Sequence, residues 1–180
     1  VAMDGGGRVP PALGAATAAV RAPGRATKPI YPTPSSHNPA GVTMTDERRQ
    51  AVLEICRQHD ILILEDNPYG LLGFDSDPHR ALRADEAEGV IYLGSFSKTF
   101  APGFRVGWVL APHAVREKLV LAQESATLCP SNFSQMAIST YLDKHDWKQQ
   151  IKDFQQMYRE RRDAMLRALE PLGGAHDADI

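Results

Sequence analysis

Two short runs of consecutive apolar residues, 61–64 and 90–93, constrain the fold most. Neither run alternates apolar with polar residues, as a strand with one face in solvent does. A continuous apolar strand is typical of a sheet that is covered on both faces, and such sheets are mostly parallel. A helical pattern with Val52, Ile55 and Cys56 on one face precedes the first run. The alternation of strand and helix therefore predicts an α/β fold with a parallel-type sheet.

The flanking segments add further elements. Thr45 is a candidate N-cap for the helix before residue 61. Ile30-Tyr31 is predicted to open a short first strand, before the runs at 61–64 and 90–93, and residues 106–110 are predicted to form another strand after them. An alanine-rich run at 13–20 predicts a short helix that Pro23-Gly24 would end. The acidic stretch 75–89 is predicted to be a loop.

Residues 113–170 show helical spacing only. A long last helix begins near Trp147, and we expect the basic residues Arg159, Arg161 and Arg162 to lie on its solvent-exposed face. Ser131 is predicted to cap the helix before it, with Phe133 in the core. We therefore place a domain boundary near residue 145, with residues 1–145 in one domain and 146–180 leading into another.

Composition excludes several classes of protein. Of the 180 residues, 43% are apolar and 23% are charged, with a formal net charge of -2, which is typical of a globular chain without an electrostatic preference for nucleic acid or membrane surfaces. Cys56 and Cys129 are too few and too far apart for a disulfide framework, which favours a cytoplasmic, reducing compartment. The six histidines lack metal-ligand spacing, so we expect no metal site. Because the first residue is Val, we expect a fragment of a longer chain.

Polar residues follow three of the predicted strands. Gly5-Gly6-Gly7, by contrast, lacks the spacing of a phosphate-binding loop and is predicted to be a turn. In α/β sheets, ligands bind at the carboxyl ends of strands. The side chains at those ends are Asn38 after the first, Asp66 and Tyr69 after the second, and Ser95, Ser97 and Lys98 after the third, with Arg105 following.

The segment 95–105 combines a lysine, hydroxyl groups and an arginine. An amine reacts with a carbonyl group, and hydroxyls with a guanidinium bind a phosphate, so one ligand carrying both groups, such as pyridoxal phosphate, would suit the segment. A solvated lysine in a serine-rich turn explains the same residues. Ser95-Phe96-Ser97-Lys98 also satisfies the Ser-x-x-Lys motif of penicillin-binding enzymes, but its companion motifs Ser-Asp-Asn and Lys-Thr-Gly are absent from this sequence.

Taken together, these segments resemble the fold-type I pyridoxal phosphate-dependent aminotransferases of class I/II. The matching stretches are 37–43, 65–69 and 95–107, and the resemblance extends over about residues 28–170. It is strongest to the branch that contains the aminoadipate aminotransferases and the aminotransferase-like domains of MocR-type regulators. The resemblance implies a three-layer large domain with a mostly parallel sheet, followed by helices that lead into a small carboxyl-terminal domain.

The resemblance also implies roles for individual residues. Lys98 would form a Schiff base with the cofactor and later move a proton, and Asp66 would face the pyridine nitrogen. Asn38 and Tyr69 would donate hydrogen bonds to the phenolic oxygen of the cofactor. The Asn38-Pro39 peptide bond is predicted to be cis, which would direct Asn38 into the site. Ser95, Ser97 and Arg105 would hold the phosphate. The implied activity is transfer of an amino group between an amino acid and a 2-oxo acid, in a homodimer whose Ser131–Phe133 loop would reach a partner's site.

The sequence also departs from the family pattern. No glycine/serine phosphate loop and no ring-stacking aromatic residue is identifiable before residue 30, and the arginine that binds the substrate carboxylate has no counterpart here. The chain is therefore expected to be inactive alone. Two alternatives stay open: a pyridoxal phosphate-binding effector domain of a transcription regulator without turnover, and another reaction at the same cofactor, such as decarboxylation or elimination.

Overall fold

The computed structural model describes residues 1–20 and 28–170, which fold into an α/β arrangement. The predicted terminator Pro23-Gly24 lies outside the described residues. The elements in chain order are β1 (Met3–Asp4), β2 (Gly7–Arg8), α1 (Pro10–Val20), α2 (Asp46–Gln58), β3 (Ile63–Asp66), α3 (Leu82–Asp85), β4 (Val90–Ser95), a 3-10 turn (Pro102–Phe104), β5 (Gly107–Leu110), α4 (His113–Thr127), α5 (Asn132–Lys144) and α6 (Trp147–Leu169).

The main sheet has the strand order β3-β4-β5. Strands β3 and β4 are parallel, as predicted, with Ile63 opposite Val90 and Asp66 opposite Leu93. Strand β5 runs antiparallel to β4, so the expectation of a parallel-type sheet is wrong for this strand. Residues 96–106 join β4 to β5 through tight turns and contain no crossover α-helix, which is the usual connection between parallel strands.

Residues 30–32 form a short parallel neighbour of β3. Ile30 bridges Ile63, and the backbone N–H of Asp66 donates to the Pro32 carbonyl at 3.0 Å. The polypeptide therefore lies alongside β3 until the level of Asp66 and then leaves the sheet. This position decides which side chains lie close to the end of β3.

The hydrophobic core lies where α1 and α2 pack against β3 and β4. Its buried members come from all four elements and from the segments that join them: Leu13, Met44, Val52, Leu53, Cys56, Ile61, Ile63, Leu82 and Val90. Helix α2 begins as predicted, because the Thr45 hydroxyl accepts from the backbone N–H of Arg48 at 3.4 Å. Asp46 and Glu47 in its first turn face the positive end of the helix dipole.

Helix α3 lies inside the segment predicted to be a loop. The buried Glu65 carboxylate accepts hydrogen bonds from the backbone N–H groups of Leu82 and Arg83, both at 3.0 Å. These donors belong to the first turn of α3, where helical N–H groups lack partners within the helix. Glu65 of β3 therefore caps the N-terminus of α3. Because this cap comes from a distant strand, no local sequence signal marks the helix.

The last three helices lie where the sequence predicts helices. Ser131 caps α5 by accepting from the N–H of Ser134 at 3.3 Å, but Phe133 is 78% exposed, so its predicted place in the core is wrong. Helix α4, which precedes α5 in the chain, likewise has no buried residue. Among the described helices, none combines the length with the apolar composition that crossing a bilayer requires.

Candidate active site

The sheet topology brings two predicted groups of polar residues to one edge. Asp66 is the last residue of β3 and Ser95 the last residue of the parallel neighbour β4. The backbone pairing continues past the strand, since the N–H of Asn67 donates to the Leu93 carbonyl at 3.1 Å. The carboxyl ends of parallel strands point the same way, so the segments after both strands meet here.

Asp66 is hydrogen-bonded to a residue that the sequence did not single out. The phenol of Tyr31, on the short segment beside β3, donates to Asp66 Oδ2. This hydrogen bond, together with partial burial, raises the pKa of Tyr31 to about 12, so the phenol remains a donor at neutral pH. The contact joins residues 35 positions apart in the chain, and a tyrosine before a proline-rich segment gives no local signal of it.

Lys98 lies beside Tyr69, its predicted companion. The Lys98 ammonium is 5.9 Å from the centroid of the Tyr69 ring, a geometry typical of a weak cation–π contact. Lys98 is exposed on a tight turn after β4, where the N–H of Phe100 donates to the Phe96 carbonyl at 2.9 Å. A lysine on a fixed turn, with its amine at the surface, is accessible to a ligand.

The hydroxyls of the same turn leave hydrogen-bonding capacity free. The Ser95 hydroxyl oxygen accepts from the backbone N–H of Ser97 at 3.0 Å, and its own proton remains available. Arg105 follows the 3-10 turn in the left-handed region, with φ at 55°, and its Nη1 donates only weakly to the Pro102 carbonyl at 3.4 Å. The exposed guanidinium therefore keeps most of its five N–H donors for another partner.

Asn38 lies at the exposed tip of a loop between the sheet and α2. The peptide bond Asn38-Pro39 is cis, which confirms the prediction for this bond. The loop is closed by backbone pairing, because the N–H of His37 donates to the Val42 carbonyl at 2.9 Å. Among the described residues, no hydrogen bond joins the exposed Asn38 side chain to Asp66 or Lys98.

A buried arginine anchors the base of this loop. Arg49 of α2 is 3% exposed, and its guanidinium donates to the Pro34 carbonyl at 2.9 Å, to the Ser35 hydroxyl at 3.1 Å and to the Met44 carbonyl at 2.9 Å.

Glu65, the residue before Asp66, is also buried. Burial raises the pKa of Glu65, while hydrogen bonds from two backbone N–H groups and the charge of Arg49 oppose that rise. Since successive strand residues face opposite sides, Glu65 points into the core and Asp66 away from it.

A cavity of about 430 Å³ lies beside this sheet edge, lined in part by the segments that follow β3 and β4, including Asn67 and Thr99. Its lining is mainly aromatic and aliphatic, and includes Tyr92, Phe100, Trp108, Tyr141, Trp147 and Ile151. Ser95 also lines it, whereas Lys98, Asp66 and Tyr69 do not. The cavity therefore adjoins the predicted polar set, through Ser95 and through the chain neighbours of Tyr69 and Lys98.

The sequence matches one family model over most of its length. Residues 16–176 match the family described as "Aminotransferase class I and II". The chain is 47% identical, over 154 residues, to the aromatic-amino-acid aminotransferase 1 of Thermococcus litoralis, an alignment that covers 82% of this chain and 36% of that protein. It is 35% identical over 146 residues to the uncharacterised HTH-type transcriptional regulator YisV of Bacillus subtilis, covering 81% of this chain and 30% of the regulator.

The fold is likewise similar to that of solved aminotransferases. The kynurenine aminotransferase of Pyrococcus horikoshii superposes with a TM-score of 0.88 at 37% identity, covering 93% of this chain and 42% of that one. The chain spans about a third of the length of the curated relatives it matches. The match of sequence and fold shows that this chain belongs to the aminotransferase class I and II family.

Proposed function

We propose that the protein is a pyridoxal phosphate-dependent aminotransferase that moves an amino group between an amino acid and a 2-oxo acid. The observation that carries the proposal is the position of Lys98 beside Tyr69, at the sheet edge where Asp66 ends the neighbouring strand. The similarity to enzymes named aminotransferases supports the same reaction class.

The donor set of this edge fits the cofactor. An aldehyde needs a nearby amine, a phosphate needs hydroxyl and guanidinium donors, and a pyridinium needs a carboxylate. Lys98, the Ser95 and Ser97 hydroxyls with Arg105, and Asp66 supply these groups. When bound, pyridoxal phosphate supplies an electron-accepting ring and a carbon at which amino groups are exchanged.

Two residues of this chain would act directly in the reaction. Lys98 would hold the cofactor covalently and, once displaced, its Nζ would carry a proton between two carbon atoms. The Asp66 carboxylate would face the ring nitrogen and keep a proton on it, which an ionised acid does by charge attraction. Tyr69 and Asn38 would donate hydrogen bonds to the phenolic oxygen.

The remaining residues of the set would position the ligand. The free hydroxyl proton of Ser95, the hydroxyl of Ser97 and the uncommitted N–H groups of Arg105 are suited to phosphate oxygens. A planar guanidinium binds phosphate with two parallel hydrogen bonds, so a lysine at position 105 would not replace it fully.

The proposal extends to organisation and location. Residues 1–145 would be part of the cofactor-binding large domain, and α6 would lead into a small domain. Exposed apolar residues on α4 and α5 support a homodimer. The two cysteines are both free, Cys56 buried and Cys129 exposed, which supports a cytoplasmic location.

The second candidate is a ligand-sensing domain that binds the cofactor without turnover. The similarity to YisV favours it, because that regulator matches 81% of this chain. The same residues would hold the cofactor in both cases. Assaying the protein from its complete gene with amino donors and 2-oxo acid acceptors separates the two: an enzyme forms a new amino acid, and a sensor does not.

The cofactor proposal is tested by fixing the ligand to the protein. The protein expressed from its complete gene is incubated with pyridoxal phosphate, reduced with borohydride, and digested for mass spectrometry. We expect the added mass on the peptide that contains Lys98. The Lys98→Ala variant should show no such label, while Lys118→Ala, which removes an exposed lysine of α4, should be labelled like the wild type. Labelling elsewhere, or none in the wild type, would contradict the proposal.

A further inference from the structure

We propose that Tyr31 is a positioning residue for the cofactor site, acting through Asp66. This inference rests on the proposed function and adds a residue to it. The Tyr31 phenol donates to Asp66 Oδ2, and Oδ1 has no hydrogen-bond partner among the described side chains. The hydroxyl would thus hold one oxygen of the carboxylate and leave the other to face the ring nitrogen.

The backbone places Tyr31 for this contact. Residues 30–32 lie parallel to β3, with the N–H of Leu64 donating to the Ile30 carbonyl at 2.8 Å and the N–H of Asp66 donating to the Pro32 carbonyl at 3.0 Å. Tyr31 therefore lies between two backbone hydrogen bonds that fix its position along β3. Its ring is 53% exposed, so the contact with Asp66 is not a by-product of core packing.

The chemistry of the pair favours orientation. A carboxylate at a strand end rotates about its terminal torsion, which is broad and has no staggered minimum. A single donor fixes that rotation. Without it, the cofactor would have to order the carboxylate on binding, which costs conformational entropy and weakens affinity.

The test measures the affinity of the apoprotein for pyridoxal phosphate, not its activity. The protein from its complete gene is stripped of cofactor, and binding is followed by the intrinsic tryptophan fluorescence. Tyr31→Phe should weaken affinity about threefold to tenfold, the size of coupling seen between contacting residues. Tyr158→Phe, the same chemical change at a partly exposed position of α6, should leave affinity unchanged.

The mechanism is tested in the Asp66→Ala background, because an asparagine would keep an oxygen that accepts from Tyr31. Because Tyr31 acts through the carboxylate, adding Tyr31→Phe to Asp66→Ala should have no further effect on affinity. The thermal midpoint of the apoprotein should be the same for Tyr31→Phe and the wild type, which separates positioning from folding.

The outcomes distinguish the proposed role of Tyr31 from the proposed cofactor-dependent function. If the wild-type apoprotein does not bind pyridoxal phosphate, both fail. If it binds and Lys98 is labelled, but Tyr31→Phe binds equally tightly, only the role of Tyr31 fails. An additive loss in the double variant would also overturn that role, because Tyr31 would then act independently of Asp66.

Discussion

Arg49 shows how a single buried residue, remote from the chemistry, fixes part of the candidate site. Its guanidinium satisfies the Pro34 and Met44 carbonyls at both ends of the loop that carries Asn38. The Met44 carbonyl is shielded from water, so it loses its hydration on folding and needs a protein donor, whereas the Pro34 carbonyl also accepts from the N–H of Met44 at 2.8 Å. The loop is therefore held at its base while its tip stays exposed.

Arg49→Lys should lower the free energy of unfolding by about 2–4 kcal/mol. An ammonium cannot reproduce the planar set of donors, and an unsatisfied buried acceptor costs about 1–3 kcal/mol, more where charge is involved. Arg57→Lys is the matched control. Arg57 lies on the same helix with an exposed side chain paired to Glu54, and exposed pairs contribute about 0–1 kcal/mol. Urea denaturation of both variants measures the difference, and equal losses would contradict the assignment.

At the scale of elements, α6 links the two loops of the candidate site. The Gln150 side-chain amide donates to the Thr99 carbonyl, next to Lys98, at 3.2 Å. The Gln155 amide donates to the carbonyls of Leu71 and Gly73, just after Tyr69, at 2.9 and 2.8 Å. The helix predicted to start a second domain therefore contacts the segments that carry two of the proposed catalytic residues.

Arg162 extends this contact and differs from its predicted place on a solvated face. Its guanidinium pairs with Asp75 and lies 4.7 Å from the centroid of the Phe74 ring. The Arg162 guanidinium thus lies over the Phe74 ring, a cation–π geometry. The helical periodicity of α6 cannot predict this contact, because residues 74 and 75 belong to a loop with no regular pattern. Arg159 also lies near the Phe74 ring, at 5.9 Å.

Gln155→Met should lower the free energy of unfolding by about 1–2 kcal/mol and increase hydrogen exchange in residues 67–75. Methionine keeps the length of the side chain but donates no hydrogen bond, and each lost bond costs about 0.5–1.5 kcal/mol. The neighbouring Gln156 bonds only to the exposed Glu160 at 2.7 Å, so Gln156→Met is the control and should change neither quantity. Unchanged exchange in the Gln155 variant would show that α6 does not hold the loop.

At the scale of the whole molecule, one apolar surface lacks a covering layer. We call the residues Leu119, Val120, Leu121, Leu128, Phe133 and Met136 the α4–α5 surface. Leu128 and Met136 are 77% and 69% exposed, and strand β5 beside α4 has no buried residue. Large exposed apolar side chains concentrated on two successive helices are typical of an interface with another chain or segment.

Residues 1–180 expressed alone should self-associate in a concentration-dependent way. The pair of changes Phe133→Ser and Met136→Ser should reduce that association, because it removes two of the most exposed apolar side chains. Leu169→Ser, near the end of α6, removes an exposed leucine away from the α4–α5 surface and should leave association unchanged. Sedimentation velocity over a range of concentrations measures this. A monomer at every concentration would contradict the expectation.

The candidate residues could be predicted because their signals are local. Asp66 and Lys98 each follow an apolar run, and a run of that kind ends at the edge of a sheet wherever the sheet forms. The Thr45 cap and the length of α6 follow from short-range patterns in the same way. By itself the sequence thus determined the α/β class, the identity of the strand-end side chains and the type of most elements, but not the helix α3.

Tertiary structure alone decided which of those side chains meet. Tyr31 and Asp66 are 35 positions apart, Gln155 and Leu71 are 84 apart, and Glu65 caps a helix 17 residues further on. The antiparallel pairing of β5 also depends on a connection that folds as turns and not as a crossover helix. Contacts of this kind depend on how strands are ordered and helices packed, because a hydrogen bond between distant residues forms only after the chain has closed the loop between them.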